Sequence, residues 1–157
     1  MATNSYQAES SWEKGERGEA RAEHLLRGCN CYFIRLSRGE GPTLIQGPDG
    51  EKLICPDLLK LPYPELLEIK NREYAREWED ENGTVVDERV YIKKRVMEDY
   101  VTIASNLIDV KIGIYLESSH RYLMADVARL AGSRCDKGII DGETVYWYSV
   151  DDFRTTL

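Results

Sequence analysis

CPDLLKLPYPELLEIKNR, residues 55–72, decides how this chain is read. Two apolar runs, Leu53–Leu61 and Glu65–Asn71, flank Pro62-Tyr63-Pro64 and predict two strands joined as a hairpin. Glu68 and Lys70 stand two apart, so on a strand both side chains leave one face while Leu67 and Ile69 leave the other. A hairpin centred between Pro62 and Tyr63 pairs residues whose numbers sum to 125, which sets Asp57 opposite Glu68. A Pro-X-Pro turn leaves that register free to slip by one residue. Directly opposed residues on one face have Cβ atoms about 5 Å apart. Two carboxylates that close repel unless a cation lies between them, so Asp57 and Glu68 make an oxygen-ligand pair suited to Mg²⁺ or Mn²⁺. Lys70 adds an ammonium that can orient or help deprotonate a water and stabilise charge on a pentavalent phosphate. Carboxylate, carboxylate and amine on one hairpin are what metal-assisted phosphodiester hydrolysis needs.

Working outward, residues 11–28 read as a helix, with Gly15, Gly18, Ala22, Leu25, Leu26 and Cys29 on one side and Gly28 as its C-terminal cap. Residues 31–36 are aromatic and β-branched enough for a strand, and 37–52, full of Gly and Pro, read as a loop. Beyond the hairpin, 89–108 read as a helix whose apolar face carries Val90, Met97, Val101, Ala104 and Ile108. Strands are expected at 110–117, 121–127 and 144–149, with a final helical turn at 150–155. Trp147 and its neighbours Tyr146 and Tyr148 are expected to fill the two faces of the last strand. The order α-β-β-β-α-β-β-β predicts an α/β fold with a mixed sheet and helices packed on it.

The 157 residues are 42% apolar and 31% charged, which fits one domain and excludes a wholly disordered chain. The longest apolar or glycine run, Ile112–Leu116, is five residues and excludes a membrane-spanning helix. The stretch MATNSYQAES has no basic start and no apolar run, so no secretory signal is expected. Cys29, Cys31, Cys55 and Cys135 do not form a disulfide framework, and with two histidines the zinc spacings are absent. Reduced thiols and a cytosolic location are the expectation. Net charge is −7, but residues 73–88 hold seven acids against one arginine, leaving −1 for the other 141 residues. That segment is expected to be a loop or arm held off the body, offering an anionic surface to a protein partner.

The residues of the hairpin resemble a known family. Pro56-Asp57, ten intervening residues, then Glu68-Ile69-Lys70 is similar to the signature of the PD-(D/E)XK nuclease superfamily. The resemblance implies a restriction-endonuclease-like α/β/α sandwich around a central mixed β-sheet, with the Ile69 carbonyl as a further metal ligand. The superfamily often has an N-terminal helix carrying another acid as Gly-X-X-X-Glu. Gly15-Glu16-Arg17-Gly18-Glu19 matches, with Glu19 at the edge of the apolar face and Glu16 and Glu23 farther round. By size and element order the chain is most similar to archaeal-type Holliday junction resolvases, from about residue 14 to residue 127. Their loop Arg and Ser correspond to Arg35 and Ser37, within Arg35-Leu36-Ser37-Arg38-Gly39.

The resemblance thus implies a single domain over 1–157 with a core about 11–127, an acidic insertion at 73–88 and a C-terminal extension at 128–157. Its activity would be that of a Mg²⁺-dependent endodeoxyribonuclease, with Mn²⁺ as substitute, acting on branched DNA as a homodimer. Glu19, Asp57, Glu68 and Lys70 would be catalytic, and Glu19, Asp57, Glu68 and Ile69 would hold the metal. Arg35, Ser37, Arg38, Arg72, Lys93, Lys94 and Arg95 are the candidates for DNA contact, ahead of the helical stripe Lys14, Arg17 and Arg21. Rival readings are a nickase or restriction-like duplex nuclease and, in another class, a non-catalytic DNA- or protein-binding module on the same scaffold.

Overall fold

The computed structural model describes residues 11–29, 31–36 and 43–156. Helix α1 (Ser11–Gly28) leads into strands β1 (Tyr32–Arg35), β2 (Leu44–Gln46), β3 (Lys52–Ile54), β4 (Leu58–Leu61) and β5 (Glu65–Arg72). Then come β6 (Arg76–Glu79), β7 (Val85–Lys93), α2 (Lys94–Asn106), β8 (Val110–Leu116), β9 (Arg121–Asp126) and α3 (Val127–Gly132). β10 (Asp136–Ile140), β11 (Glu143–Ser149), a short 3-10 helix at Val150–Asp152 and β12 (Arg154–Thr156) complete the chain.

The predicted hairpin forms in the predicted register. Leu58 pairs with Leu67, Leu59 with Leu66 and Lys60 with Glu65, so every pair sums to 125. β4 and β5 sit inside a six-stranded mixed sheet of order β1-β4-β5-β8-β9-β12. Only β5 and β8 run parallel, and the chain between them supplies the crossover that a parallel pair requires. One face of this sheet buries Leu58, Leu67, Ile69 and Tyr122 against Ala22 of α1. The other buries Leu66, Ile112, Ile114 and Leu123 with Met97, Tyr100 and Ile103 of α2 and Leu130 of α3. The period of two along β5 therefore sends Leu67 and Ile69 to α1, and Leu66, Glu68 and Lys70 to α2.

A second, four-stranded sheet of order β10-β11-β7-β6 packs beside α2. Here several expectations are corrected. Residues 73–88 are not an arm: they contribute β6 and the start of β7, an antiparallel hairpin. Its turn is closed by Asp80, whose Oδ1 accepts the N–H groups of Asn82 at 2.8 Å and Thr84 at 3.0 Å. The helix expected over 89–108 spans only Lys94–Asn106. Val90 and Ile92 are strand residues of β7 that reach the core by alternation, not by helical spacing. The run Leu53–Leu61 is broken at Cys55–Asp57, with β3 turning away to pair with β2 inside the supposed loop 37–52.

The helical turn expected over 150–155 is a 3-10 turn followed by β12, which pairs with β9 at the edge of the central sheet. The described residues beyond 127 thus complete both sheets. Tyr148 and Tyr146 face the core while Trp147 packs on Trp78 and Tyr91, so the last long strand does fill two faces. No helix among the described residues is long and apolar enough to cross a membrane.

Candidate active site

Asp57 lies at the bend just before β4. Extending the hairpin register sets Pro56 opposite Ile69, a position where antiparallel partners would exchange N–H···O bonds. Proline has no N–H, so the Ile69 carbonyl gains no donor from it. The Asp57 side chain takes up the other half, its Oδ2 accepting the Ile69 N–H at 2.8 Å. The ladder thus ends in a carboxylate, and a backbone carbonyl is left facing the same side.

Glu68 is buried, 3% exposed, on the α2 side of β5. Lys70 Nζ pairs with its Oε1, and the Tyr100 hydroxyl of α2 donates to its Oε2. Burial and the adjacent Glu68 carboxylate push the Asp57 carboxyl up to about 8, against the opposing pull of Lys70 and the Ile69 N–H. Burial alone would lower the Lys70 ammonium, but Glu68 and Asp57 outweigh it and hold the amine above its ordinary range. Lys70 is therefore charged at neutral pH. A buried acid pair that one lysine only partly neutralises is the chemistry of a cation site, and Asp57, Glu68 and the Ile69 carbonyl fit it.

Glu19 reaches the same cleft from α1. Gly18 makes this approach close, because a Cβ there would lie 3.2 Å from the Asn71 Cβ and 3.5 Å from Ile69 Cγ2. Glu19 is buried and ion-paired with Arg35 of β1, which also pairs with Glu16 and lies 3.9 Å from Glu23. Arg35, a candidate for DNA contact, gathers the acids of α1. Among the described residues no three Asp, Glu, His or Cys side chains meet closely enough to share one metal ion. The structure brings Asp57 and Glu68 together and keeps Glu19 on Arg35.

The cleft encloses about 550 Å³, and Glu19, Asp57, Glu68, Lys70, Arg72 and Lys93 all line it. Arg72 lies over the Tyr91 ring, 4.4 Å from its centroid. Lys93 pairs with Glu143, Lys94 lies 3.6 Å from Glu98, and Arg95 is exposed. These three border a neighbouring depression that shares Lys93 with the cleft. Arg17 and Arg21 are turned to Glu117, at 3.0 and 3.3 Å. Ser37, Arg38 and the Lys14 side chain lie outside the described residues.

Two contributors escape the sequence reading. Tyr100 sits among the apolar positions of α2, and only its need for a hydroxyl partner once buried hinted at Glu68. Cys55 lines the cleft, where burial, Asp57 and Glu68 push its thiol up and keep it neutral. No protein-family profile matches the chain, and no curated protein is similar to it in sequence. Among solved structures it is similar to a nuclease from a fusselovirus, at 10% identity and a TM-score of 0.51, covering 96% of this chain and 90% of that one. At that identity the likeness is one of fold: a mixed α/β architecture shared over nearly the whole chain.

Proposed function

We propose that the protein is a metal-dependent endodeoxyribonuclease of the PD-(D/E)XK type. The observation that carries this reading is the hairpin register, which faces Asp57 toward Glu68 and sets Lys70 on the same side of β5. The fold likeness to a viral nuclease supports it. Asp57, Glu68 and the Ile69 carbonyl would hold Mg²⁺, which when bound lowers the pKa of a water and polarises a phosphate. Asp57 must give up its proton as the ion enters. Tyr100 fixes the Glu68 carboxylate, the role outer partners play around metal ligands. Lys70, released from Glu68, presents its charge to the attacking water and to the phosphate oxygens. Arg72, Lys93, Lys94 and Arg95 would hold the DNA backbone.

In its most specific form the protein is a resolvase of branched DNA that works as a homodimer. The test is cleavage of a labelled four-way junction and its matched duplex in Mg²⁺, by wild type and by Glu68→Ala. Junction cutting by wild type alone supports the resolvase. Equal duplex cutting keeps the chemistry and favours a nickase or restriction-like enzyme. A second reading, a non-catalytic module on the same fold, draws on Glu19 being held by Arg35 instead of joining Asp57 and Glu68. Calorimetric titration with Mn²⁺ separates them, because a retired site takes up no ion.

A further inference from the structure

Beside the cleft, a recess of about 430 Å³ opens on the face of the four-stranded sheet turned away from the core. Its aromatic walls are Tyr91 and Trp147, whose rings meet edge to face at 5.3 Å. Arg72, Arg76 and Arg89 surround them, and Tyr74, 65% exposed, stands at the rim. Arg72 and Tyr91 also line the cleft, so the two hollows share a wall. We infer that this recess receives an unpaired nucleotide, so that the Asp57–Glu68–Lys70 site acts on DNA at a boundary between duplex and single strand. The inference rests on the nuclease reading above, though not on its resolvase form, and names tailed DNA as the substrate in place of the fully paired four-way junction.

Three observations carry it. A recess of this size lies within the range of small-ligand pockets. Its surfaces are those that take unstacked bases: guanidinium planes laid on aromatic rings, with Arg72 over Tyr91 and Arg76 over Trp147, the exposed Tyr74 ring at the rim, and cationic groups for the adjoining phosphate. Arg76 lies 5.5 Å from the Trp147 ring centroid, with no carboxylate partner among the described residues. Arg89, in contrast, is paired with Asp87 and Asp136, and Glu73 is the acid at the rim. Finally, the Nε of Arg72 is buried without an acceptor. Such an orphaned donor calls for an explanation, and a phosphate or base oxygen in the shared wall supplies one.

The test uses the full chain in EDTA, so that binding is read without cleavage. Fluorescence anisotropy compares a labelled blunt duplex, the same duplex with a short unpaired tail, and a single strand. The tailed duplex and the single strand are expected to bind about tenfold more tightly than the blunt duplex, with quenching of tryptophan emission. Tyr74→Ala and Arg76→Ala, both at exposed positions, are expected to remove that preference with circular dichroism unchanged. Glu68→Ala should retain it, so a failure of the nuclease chemistry does not mimic a failure of the recess. Equal affinity for the three DNAs, no binding at all, or an intact preference in both variants overturns the inference.

Discussion

Replacing Asp57 by Asn is expected to stabilise the metal-free protein and to abolish its response to Mg²⁺. The Asp57 carboxyl is pushed from 3.8 to about 8, first by burial and then by Glu68. Between those values the folded chain holds a proton that the unfolded chain has released. Stability therefore falls as pH rises through that window and levels off above it. Each pH unit in the window removes at most about 1.4 kcal/mol, so wild type at neutral pH has lost up to about 4 kcal/mol relative to mild acid. Asn cannot ionise, and its amide oxygen can still accept the Ile69 N–H that now bonds the carboxylate at 2.8 Å. At neutral pH Asp57 is mostly protonated, so Lys70 faces the Glu68 charge in both proteins and the variant keeps a gain of up to about 4 kcal/mol. Urea unfolding in EDTA at a series of pH values reads this directly. The wild-type and variant curves should coincide near pH 4 and diverge up to about pH 8. Adding Mg²⁺ should then raise wild type alone, by mass action on the folded state. Parallel curves across that range, or a variant less stable at neutral pH, would refute the placement of a buried acid pair at this bend.

Other perturbations probe the parts around that pair. Tyr100→Phe removes the hydroxyl bonded to Glu68 and should weaken Mn²⁺ binding about tenfold by calorimetry; unchanged affinity means that Tyr100 does not position the carboxylate. Gly18→Val drives a side chain into Asn71 and Ile69 and should lower stability by about 1–3 kcal/mol in thermal melts. Asp99→Ala leaves the Ile54 N–H without the acceptor it now has at 2.9 Å, for a loss of about 1–2 kcal/mol. Loading the site with Mn²⁺ at neutral pH should release close to one proton, read from calorimetry in buffers of different ionisation enthalpy, and that release should fade above about pH 8.

The hairpin was legible because two signals agree on it. Leu67 and Ile69 alternate with Glu68 and Lys70, and Pro62-Tyr63-Pro64 marks the turn, so face and register follow from one count. Glu19 was legible from the glycines before it, since Gly18 is what lets α1 lie close on β5. Its partner was not, because nothing local in the sequence says that Arg35 crosses to α1. The second sheet was read worst. Asn82-Gly83 and Asp141-Gly142 are hairpin turns with positive φ at Gly83, Asp141 and Gly142, and Asn-Gly and Asp-Gly are the strongest short hairpin signals. At the first turn the flanking acids, residues depleted in strands, hid β6 and the start of β7. Val90, seven and eleven places from Met97 and Val101 of α2, also fits helical spacing, although its burial comes from alternation with Ile92. Which of two periods wins at such a junction is decided by tertiary pairing with β11, outside the reach of any local window.

β6 is the outermost strand of its sheet, and Arg76, Glu77 and Glu79 on it are exposed, with a register irregularity at Trp78 and Glu79. An open strand edge is a template on which a second molecule can zip, and charge or a bulge is how such an edge is blunted. The acids that make 73–88 so negative therefore lie where two copies would otherwise meet side by side, and repel across a Debye length of about 8–10 Å. Colloidal behaviour follows from this placement. High salt, by screening Glu77, Glu79 and their neighbours, should turn a dispersed protein into one that self-associates through this rim well before the core unfolds.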